Sequence, residues 1–278
     1  MKNSIIWLLL VVTLSTTNLF SQASFNVEIK GKGKPVLLFP GFGCSGKVWD
    51  ETVAEISKTH KCYTFTFAGF GNVKPIETPW FETIKKDIEK YIVVNKLTKS
   101  TLLGHSIGGT LSLWLSSSNP KWFKELILVD ALPASAALMI PNYKGELIPY
   151  DNPQSKSMLE MTDTEFKKMN NQSVMYMCNN KEKQKLLAEM MNQSDRKTYV
   201  YGYIDMLNLD LRTEIEKIKK PVTILAATNP SLEVVTKTYN DQYKNLPVVT
   251  ILYAENSAHF VMFDQPLWFS KQVNQILN

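Results

Sequence analysis

Short apolar runs alternate with amphipathic segments along most of the chain. A continuous apolar run of about four to eight residues is typical of a strand buried on both faces of a parallel sheet. Segments with apolar residues on one face and charged residues on the other predict helices between these strands. The predicted strands are residues 35–40, 62–67, 100–103, 126–129, 222–226 and 248–253, and the predicted helices are residues 48–57, 84–94, 107–118 and 267–277.

Strands that alternate with helices indicate βαβ units, so the sequence predicts the α/β class with a doubly wound, mostly parallel sheet. Right-handed crossovers then place helices on both faces of that sheet. A chain of 278 residues is long enough to bury a large core and is still within the size of one α/β domain. We therefore expect residues 24–278 to form one domain.

One stretch, about residues 132–209, interrupts this alternation. It contains no convincing strand, its pattern is polar and helical, and it holds nine of the chain's eleven methionines. Because it lies between two predicted strands of the sheet, we interpret it as an insertion that forms a helical cap. Methionine side chains are flexible and fit irregular apolar surfaces, so these either line a substrate pocket or pack the cap onto the core.

The first 23 residues have the order of a secretory signal peptide. Lys2 precedes an apolar run over residues 5–14, and Ser21-Gln22-Ala23 supplies a small residue for cleavage. The apolar run is too short to span a membrane comfortably. We expect cleavage after Ala23, export to a periplasm or out of the cell, and no stable membrane insertion afterwards. The alternative is an uncleaved N-terminal anchor.

Charge and cysteine content argue against several other classes of protein. The net charge of +5 is spread along the chain without a basic patch, so no nucleic-acid partner is expected. Cys44, Cys62 and Cys178 form neither a disulfide framework nor a zinc-binding pattern, and we expect them to pack as small residues. Residues 31–34 are interpreted as a hairpin turn rather than a phosphate loop, and no cofactor or metal is expected.

A serine motif lies between a predicted strand and a predicted helix: Gly104-His105-Ser106-Ile107-Gly108-Gly109. This is the G-x-S-x-G nucleophile elbow in the context that the motif requires. Glycine at positions 104 and 108 leaves room for the chain to fold back sharply, and Gly109 lets the helix pack closely on the sheet. The helix directs its N-terminus at a developing negative charge. Ser106 is therefore the candidate nucleophile.

With four further segments, this motif resembles the α/β-hydrolase fold family, and in particular its members with a helical cap between the family's sixth and seventh strands. The resemblance covers nearly all of residues 25–278 outside the cap. It implies an oxyanion hole made by the backbone N–H groups of Phe42 and Ile107, with Pro40 standing where the family usually has histidine. The four segments are Phe39-Pro40-Gly41-Phe42-Gly43, Ala68-Gly69-Phe70-Gly71, Ile127-Leu128-Val129-Asp130 and residues 258–266.

A serine hydroxyl needs a neighbouring base, and the chain has three histidines. His60 lies in a polar turn, where we expect a solvated surface residue. His105 belongs to the elbow and is expected to point away from the nucleophile. His259 follows the last predicted strand, where the family's order of serine, acid and histidine puts the base. His259 is therefore the candidate general base.

Several side chains compete for the role of the acid that orients His259. Family members most often carry it after the seventh strand, where this chain has Asn229, and an amide would not stabilise a charged imidazole. Others carry it after the sixth strand, where Asp130 stands. We expect Asp130 to be the acid, with Glu233 as the second candidate. Asp210 is a third carboxylate, interpreted as part of the connection between cap and core.

These residues predict a serine hydrolase that cleaves a carboxylic ester, or a related acyl bond, through an acyl-enzyme. The expected substrate is a small, apolar, ester-like molecule. Lyase or cofactor-free peroxidase chemistry on the same residues stays open, since one fold hosts many reactions. The alternative from another class is a degenerate hydrolase that binds a small ligand with little turnover. A carboxylate within hydrogen-bonding distance of His259 would favour the enzyme.

Overall fold

The computed structural model describes residues 24–141 and 143–278, so the predicted signal peptide lies outside the described residues. A seven-stranded sheet forms the centre of the molecule, with the strand order β1-β3-β2-β4-β5-β6-β7. Every neighbouring pair is parallel except β1 and β3. The strands are β1 (Phe25–Lys30), β2 (Lys34–Phe39), β3 (His60–Phe67), β4 (Thr101–His105), β5 (Glu125–Val129), β6 (Val222–Ala227) and β7 (Val249–Ala254).

Helices cover both faces of this sheet, which confirms the predicted α/β class and its mostly parallel sheet. Two short 3-10 helices, Gly46–Trp49 and Glu214–Lys217, accompany them. The α-helices are α1 (Asp50–Ile56), α2 (Trp80–Val94), α3 (Ile107–Ser118), α4 (Ala136–Met139), α5 (Pro153–Glu160), α6 (Asp163–Met177), α7 (Lys181–Asn192), α8 (Arg196–Asn208), α9 (Leu232–Tyr243), α10 (Val261–Asp264) and α11 (Pro266–Leu277).

The buried core consists of two apolar layers, one on each face of the sheet. Successive residues of a strand point to opposite faces, so Leu37 and Phe39 lie in one layer while Val36 and Leu38 lie in the other. All four side chains are fully buried. This two-sided burial is the physical reason that the central strands are continuous apolar runs, and it is why those runs predict strands.

The first strand was not among the predicted strands. It alternates Phe25 and Val27 with polar residues and pairs with only one neighbour, β3, at the edge of the sheet. In an edge strand with one face toward solvent, apolar and polar residues alternate, so its sequence lacks the continuous apolar run of a central strand. The alternation of apolar and polar residues over Phe25–Lys30 was therefore the sequence pattern that could have predicted β1. Helix α9 also went unpredicted, although Val235, Tyr239 and Tyr243 recur at helical spacing on its buried face.

The interpretation of residues 31–34 as a hairpin turn was wrong. They connect β1 and β2, which do not pair with each other because β3 lies between them. The connection crosses the start of β3 at close range. A Cβ atom on Gly31 would lie 2.2 Å from the backbone oxygen of His60, and one on Gly33 would lie 2.3 Å from that of Thr59.

The segment interpreted as a cap lies between β5 and β6 and contains helices α4 to α8. Its two ends meet, since the Leu211 amide donates a hydrogen bond of 3.0 Å to the Pro133 carbonyl. Thr162 and Glu165 form a capping box that starts α6. None of the described helices has both the length and the apolar character needed to cross a membrane.

Two expectations about individual side chains can be compared with this core. Cys44, Cys62 and Cys178 are all buried and free, as expected for small packing residues. His60 is not a solvated surface residue, and that expectation was wrong. It begins β3 and is 6% exposed, and burial followed by the charge of Lys34 lowers its pKa below the usual value.

Candidate active site

Ser106 occupies a sharp turn between β4 and α3. Its backbone has φ of 53° and ψ of −122°, a left-handed conformation that a side chain disfavours. Its amide donates a hydrogen bond of 2.9 Å to the Val129 carbonyl at the end of β5. The turn requires glycine on both sides: a Cβ on Gly104 would lie 2.3 Å from the Gly108 oxygen, and one on Gly108 would lie 2.3 Å from the Phe39 oxygen. The local geometry is that of a nucleophile elbow.

The two backbone amides predicted to hold an oxyanion belong to two different segments of the chain. Phe42 follows β2 and lines the same cavity as Ser106, and Ile107 is the first residue of α3. Neither amide donates a hydrogen bond to another group among the described residues. The Phe42 ring packs against Tyr199 and Tyr203 of α8, with ring centroids 5.2 and 5.7 Å away. The cap therefore contacts the loop that carries one of these amides.

His259 and Asp130 are joined by a hydrogen bond. Nδ1 of the ring lies 2.6 Å from Oδ2 of the carboxylate, and the two side chains are 28% and 18% exposed. Because an ionised carboxylate only accepts, Nδ1 donates this bond, and in the neutral ring Nε2 would be the acceptor. No hydrogen bond joins Ser106 Oγ to His259 in the described part of the chain. Hydrogen bonds between a nucleophile and its base often shorten only when substrate is bound.

The second oxygen of Asp130 is held as well. Oδ1 accepts a hydrogen bond from the Ala227 amide and another from the Tyr239 hydroxyl, each 2.9 Å long. Burial acts to raise the pKa of Asp130, but the bonds from His259, Ala227 and Tyr239 outweigh it and hold the pKa below its usual value. The carboxylate is therefore ionised and fixed beside the ring.

The other candidate acids lie elsewhere. Glu233 is exposed in the first turn of α9, and no hydrogen bond links it to His259 among the described residues. Asn229 is exposed at the edge of the cavity. The Asp210 carboxylate pairs with Arg212, at 2.6 Å from Oδ2 to the nearest guanidinium nitrogen. The structure thus brings Asp130 to His259 and leaves Glu233 and Asp210 away from the ring.

Tyr239 is a site residue that sequence reasoning missed. It lies on the unpredicted helix α9, where its ring stacks on that of Tyr243 with centroids 5.8 Å apart. Tyr243 donates to the Ala131 carbonyl at 2.7 Å, so the two tyrosines together support the residues that follow β5. The only signal in the sequence is their helical spacing, which says nothing about the acceptor that each hydroxyl finds.

His105 is fully buried beside the elbow. Its Nε2 lies 3.0 Å from the His259 carbonyl, to which it donates, and the two rings are 4.6 Å apart. Burial, followed by the neighbouring His259, lowers the pKa of His105 to about 3, so the ring is neutral. Its Nδ1 is buried without a hydrogen-bond partner in the described residues. His105 therefore contacts the loop of the candidate base rather than donating to Ser106.

A cavity of about 530 Å³ lies between the core and the cap, and Ser106, Asp130 and His259 all line it. Among the described residues that line it, Asp130 is the only aspartate, glutamate, lysine or arginine. Burial raises the pKa of Tyr199, another lining residue, to about 12, so its phenol is neutral. The methionines that line the cavity are Met139, Met158, Met169, Met177, Met191 and Met206.

This cavity has the size and apolar walls of a small-molecule site. Within the described residues no three histidine, cysteine or acidic side chains converge closely enough to bind a metal ion. The arrangement offers a serine on a strained turn, a histidine oriented by a carboxylate, and two backbone donors.

Comparison with known families decides the classification. The family model described as the alpha/beta hydrolase fold matches residues 34–173, about half of the chain. The chain belongs to the alpha/beta hydrolase fold family. The matched segment contains β2 to β5, the elbow with Ser106 and the position of Asp130, and it continues into the cap. The resemblance inferred from the sequence motifs is confirmed.

Individual hydrolases of this family are distant in sequence but similar in structure. A pimeloyl-[acyl-carrier protein] methyl ester esterase of Aliivibrio fischeri is 22% identical over 255 residues, which cover 90% of this chain and 96% of that protein. An esterase from Exiguobacterium antarcticum superposes with a TM-score of 0.78 at 19% identity, over 91% of this chain and 95% of that one. An enol-lactonase from Burkholderia xenovorans superposes with a TM-score of 0.75 at 15% identity, over 91% and 96%. At these identities the solved structures establish the fold.

Proposed function

We propose that this protein is a serine hydrolase that cleaves an uncharged carboxylic ester through an acyl-enzyme. The observation that carries the proposal is the 2.6 Å hydrogen bond between His259 Nδ1 and Asp130 Oδ2, in the cavity that Ser106 also lines. A ring protonated on Nδ1 presents Nε2 as the acceptor for a serine proton. A binding protein would have no need for a half-buried, ionised carboxylate behind that ring.

In the proposed reaction Ser106 Oγ attacks the ester carbonyl and its proton passes to His259 Nε2. Asp130 stabilises the imidazolium that results, and the amides of Phe42 and Ile107 donate to the oxyanion. When the carbonyl re-forms, the bond to the alcohol oxygen breaks and the alcohol leaves with the proton held by His259. A water molecule then attacks the acyl carbon and gives a proton to His259 Nε2. The bond from the acyl carbon to Ser106 Oγ breaks, Oγ takes that proton back, and the carboxylic acid leaves.

The lining of the cavity supports the choice of substrate. No lysine or arginine among the described residues lines it, so a substrate carboxylate or phosphate buried there would lose hydration without gaining an opposite charge. Six methionines offer a polarisable and adaptable apolar wall. The relatives named as esterases support an ester as the reacting group. An uncharged ester with an apolar acyl or alcohol group satisfies all three observations.

We also infer that residues 1–23 export the protein. The supporting pattern is Lys2, the apolar run over residues 5–14 and the small residue Ala23. N-terminal sequencing of the protein recovered from the medium, the periplasm and the membrane fraction tests this. A chain that begins at Ser24 outside the cytoplasm is the expected result, and an intact N-terminus in the membrane fraction would contradict it.

Reaction with a fluorophosphonate probe, followed by mass spectrometry, tests the catalytic proposal. We expect one label per chain, on Ser106, with labelling lost in Ser106→Ala and strongly slowed in His259→Gln. Ser173→Ala is the matched control, because Ser173 also lines the cavity but its hydroxyl donates to the Met169 carbonyl. Neutral esters of increasing acyl length, against matched esters with a free terminal carboxylate, then test the substrate class.

A folded protein that neither labels nor turns over any ester would overturn the proposal. In that event the molecule would be a degenerate hydrolase, and the search would turn to a bound ligand. Labelling of Ser106 with equal turnover of neutral and carboxylate-bearing esters would leave the mechanism in place and overturn the substrate class.

A further inference from the structure

The carboxylate of Asp264, the last residue of α10, receives hydrogen bonds from two separate parts of the molecule. Its Oδ2 accepts from the Ala258 amide at 2.8 Å, directly before His259. Its Oδ1 accepts from the amides of Asn179 and Asn180, at 2.8 and 3.1 Å, where the cap helix α6 has just ended. One side chain therefore joins the cap to the loop that carries the candidate base.

Cys178 adds a further donor to the same oxygen. Its sulfur lies 3.3 Å from Asp264 Oδ1, and the side chain is fully buried. Burial, followed by the negative charge of Asp264, raises the pKa of Cys178 to about 12. The thiol therefore stays protonated and donates a hydrogen bond to the carboxylate. Asp264 Oδ1 therefore accepts from three consecutive residues of the cap, Cys178, Asn179 and Asn180.

The backbone of the histidine loop is held at three consecutive residues. The Ala258 amide is bound by Asp264, and the His259 carbonyl accepts from His105 of the elbow at 3.0 Å. The Phe260 amide donates a hydrogen bond of 3.0 Å to the carbonyl of Met177, which is the last residue of α6. The loop is thus fixed on one side by the elbow that carries Ser106 and on the other by the cap.

The asparagine side chains reinforce the same junction. Asn179 Nδ2 donates to the Asn256 carbonyl at 3.0 Å, and Asn180 Nδ2 donates to the Phe263 carbonyl at 3.5 Å. Together with Met177, these asparagines bond the end of α6 and the residues after it to Asn256, Phe260 and Phe263. The cap cannot shift here without loosening bonds to the residues on both sides of His259.

We propose that Asp264 is a positioning residue that couples the end of α6 to His259, so that the place of the cap sets the orientation of the imidazole toward Ser106. This inference rests on the proposed function, because it assigns the coupling to the histidine that activates Ser106. The cap is then part of the catalytic arrangement as well as a wall of the cavity. Misplacement of a reacting group by about 1 Å can cost about 100-fold in rate.

The test compares Asp264→Asn and Asp264→Ala with variants that disturb the cap or the thiol alone. An asparagine has one acceptor oxygen and one donor amide, so it can satisfy only one side of the junction. Asp163→Asn is the cap control, because it breaks the Arg196 ion pair far from the histidine loop in the chain. Cys178→Ala removes the thiol donor and keeps the amides of Asn179 and Asn180.

Hydrogen–deuterium exchange and steady-state kinetics on the full-length protein give the two readouts. In both Asp264 variants we expect faster exchange in peptides covering residues 176–181 and 256–263 together. We expect kcat on a short neutral ester to fall by about 10- to 100-fold while KM changes by less than about twofold. Cys178→Ala should show a smaller fall in kcat, and Asp163→Asn should leave both kcat and exchange at residues 256–263 unchanged.

Two results would overturn the inference. Unchanged exchange at residues 256–263 would show that Asp264 does not hold the loop. A lowered melting temperature with unchanged kcat, measured well below melting, would reduce Asp264 to a purely structural role. If the wild-type protein neither labels nor turns over esters, the proposed function fails, and the catalytic role of Asp264 fails with it. The exchange data would still decide whether Asp264 links the cap to the loop.

Discussion

The hydroxyl of Tyr239 donates a hydrogen bond of 2.9 Å to Asp130 Oδ1, the carboxylate oxygen that does not face His259. Asp130 has a backbone φ of 43°, which is uncommon for a residue other than glycine. Helix α9, whose Tyr239 lines the same cavity as Asp130, provides that bond. Asp130, the candidate acid, and Tyr239 are 109 residues apart in the chain.

Removing this hydrogen bond is expected to weaken catalysis without abolishing it. In Tyr239→Phe, Asp130 keeps its bonds to His259 and Ala227 but loses one donor, so its pKa rises and its orientation loosens. We expect kcat/KM to fall by about 3- to 10-fold and the free energy of unfolding to fall by about 1–2 kcal/mol. Tyr243→Phe is the matched control, since its hydroxyl bonds the Ala131 carbonyl instead. An equal loss of kcat/KM in both variants would contradict a specific role for Tyr239.

Neutralising the acid should have a much larger effect. Asp130→Asn cannot hold a charged imidazole, and its amide favours the wrong tautomer of His259. We expect kcat on a neutral ester to fall by about 10³- to 10⁴-fold. Glu233→Gln serves as the control, because Glu233 is exposed and is not bonded to His259 among the described residues. Comparable losses in the two variants would show that the acid had been assigned wrongly.

Acid should destabilise the fold through His105. Its pKa is about 3 in the folded protein, below the 6.5 of an unperturbed histidine. Between these values the unfolded chain binds a proton that the folded chain does not, so the free energy of unfolding falls as pH falls, by up to about 1.4 kcal/mol per pH unit. Urea unfolding at several pH values from 6 to 4 gives the free energy of unfolding at each pH. Its change with pH should be smaller for His105→Asn than for the wild type. Equal slopes would contradict this depressed pKa.

The elbow should not tolerate a side chain at position 108. The Cβ of Gly108→Ala would lie 2.3 Å from the backbone oxygen of Phe39, which cannot move without disturbing β2. We expect a loss of about 3 kcal/mol in the free energy of unfolding, the upper end of the usual cost of overpacking. Gly145→Ala meets no atom within 4 Å and is strained only by its φ of 94°, so about 1 kcal/mol is expected. Urea titration compares them, and equal losses would argue against steric crowding at the elbow.

The three cysteines should be unreactive in the native protein and reactive after unfolding. All are free and buried, and burial raises the pKa of Cys62 to about 11 and that of Cys44 to about 12. A thiol of this kind holds almost no thiolate at neutral pH and is closed to reagents. Titration with an aromatic disulfide reagent should detect no thiol in buffer and three in guanidinium chloride. Fewer than three after unfolding would indicate a disulfide.

The sequence by itself determined the elements that depend on local pattern. The central strands are apolar runs because both of their faces are buried, and α3 covers the predicted residues 107–118. Ser106 was identifiable as the candidate nucleophile because the elbow motif needs small residues within a few positions of its serine. His259 followed from its place after the last strand. The strands, α3 and the elbow are inferred from residues that are neighbours in the chain, whereas His259 also needed the order of serine, acid and histidine that the family resemblance implies.

Only the tertiary structure decided which carboxylate meets His259. Asp130 and Glu233 each follow a strand, and Asp210 lies between the cap and β6. Asp130 is 129 residues from His259 in the chain. The paths of the connecting segments place one of them at 2.6 Å and leave the others away from the ring. The same holds for Tyr239, the burial of His60 and the bonds of Asp264. Sequence pattern records local backbone preference and burial, whereas a hydrogen bond between distant side chains depends on where the intervening chain has been folded.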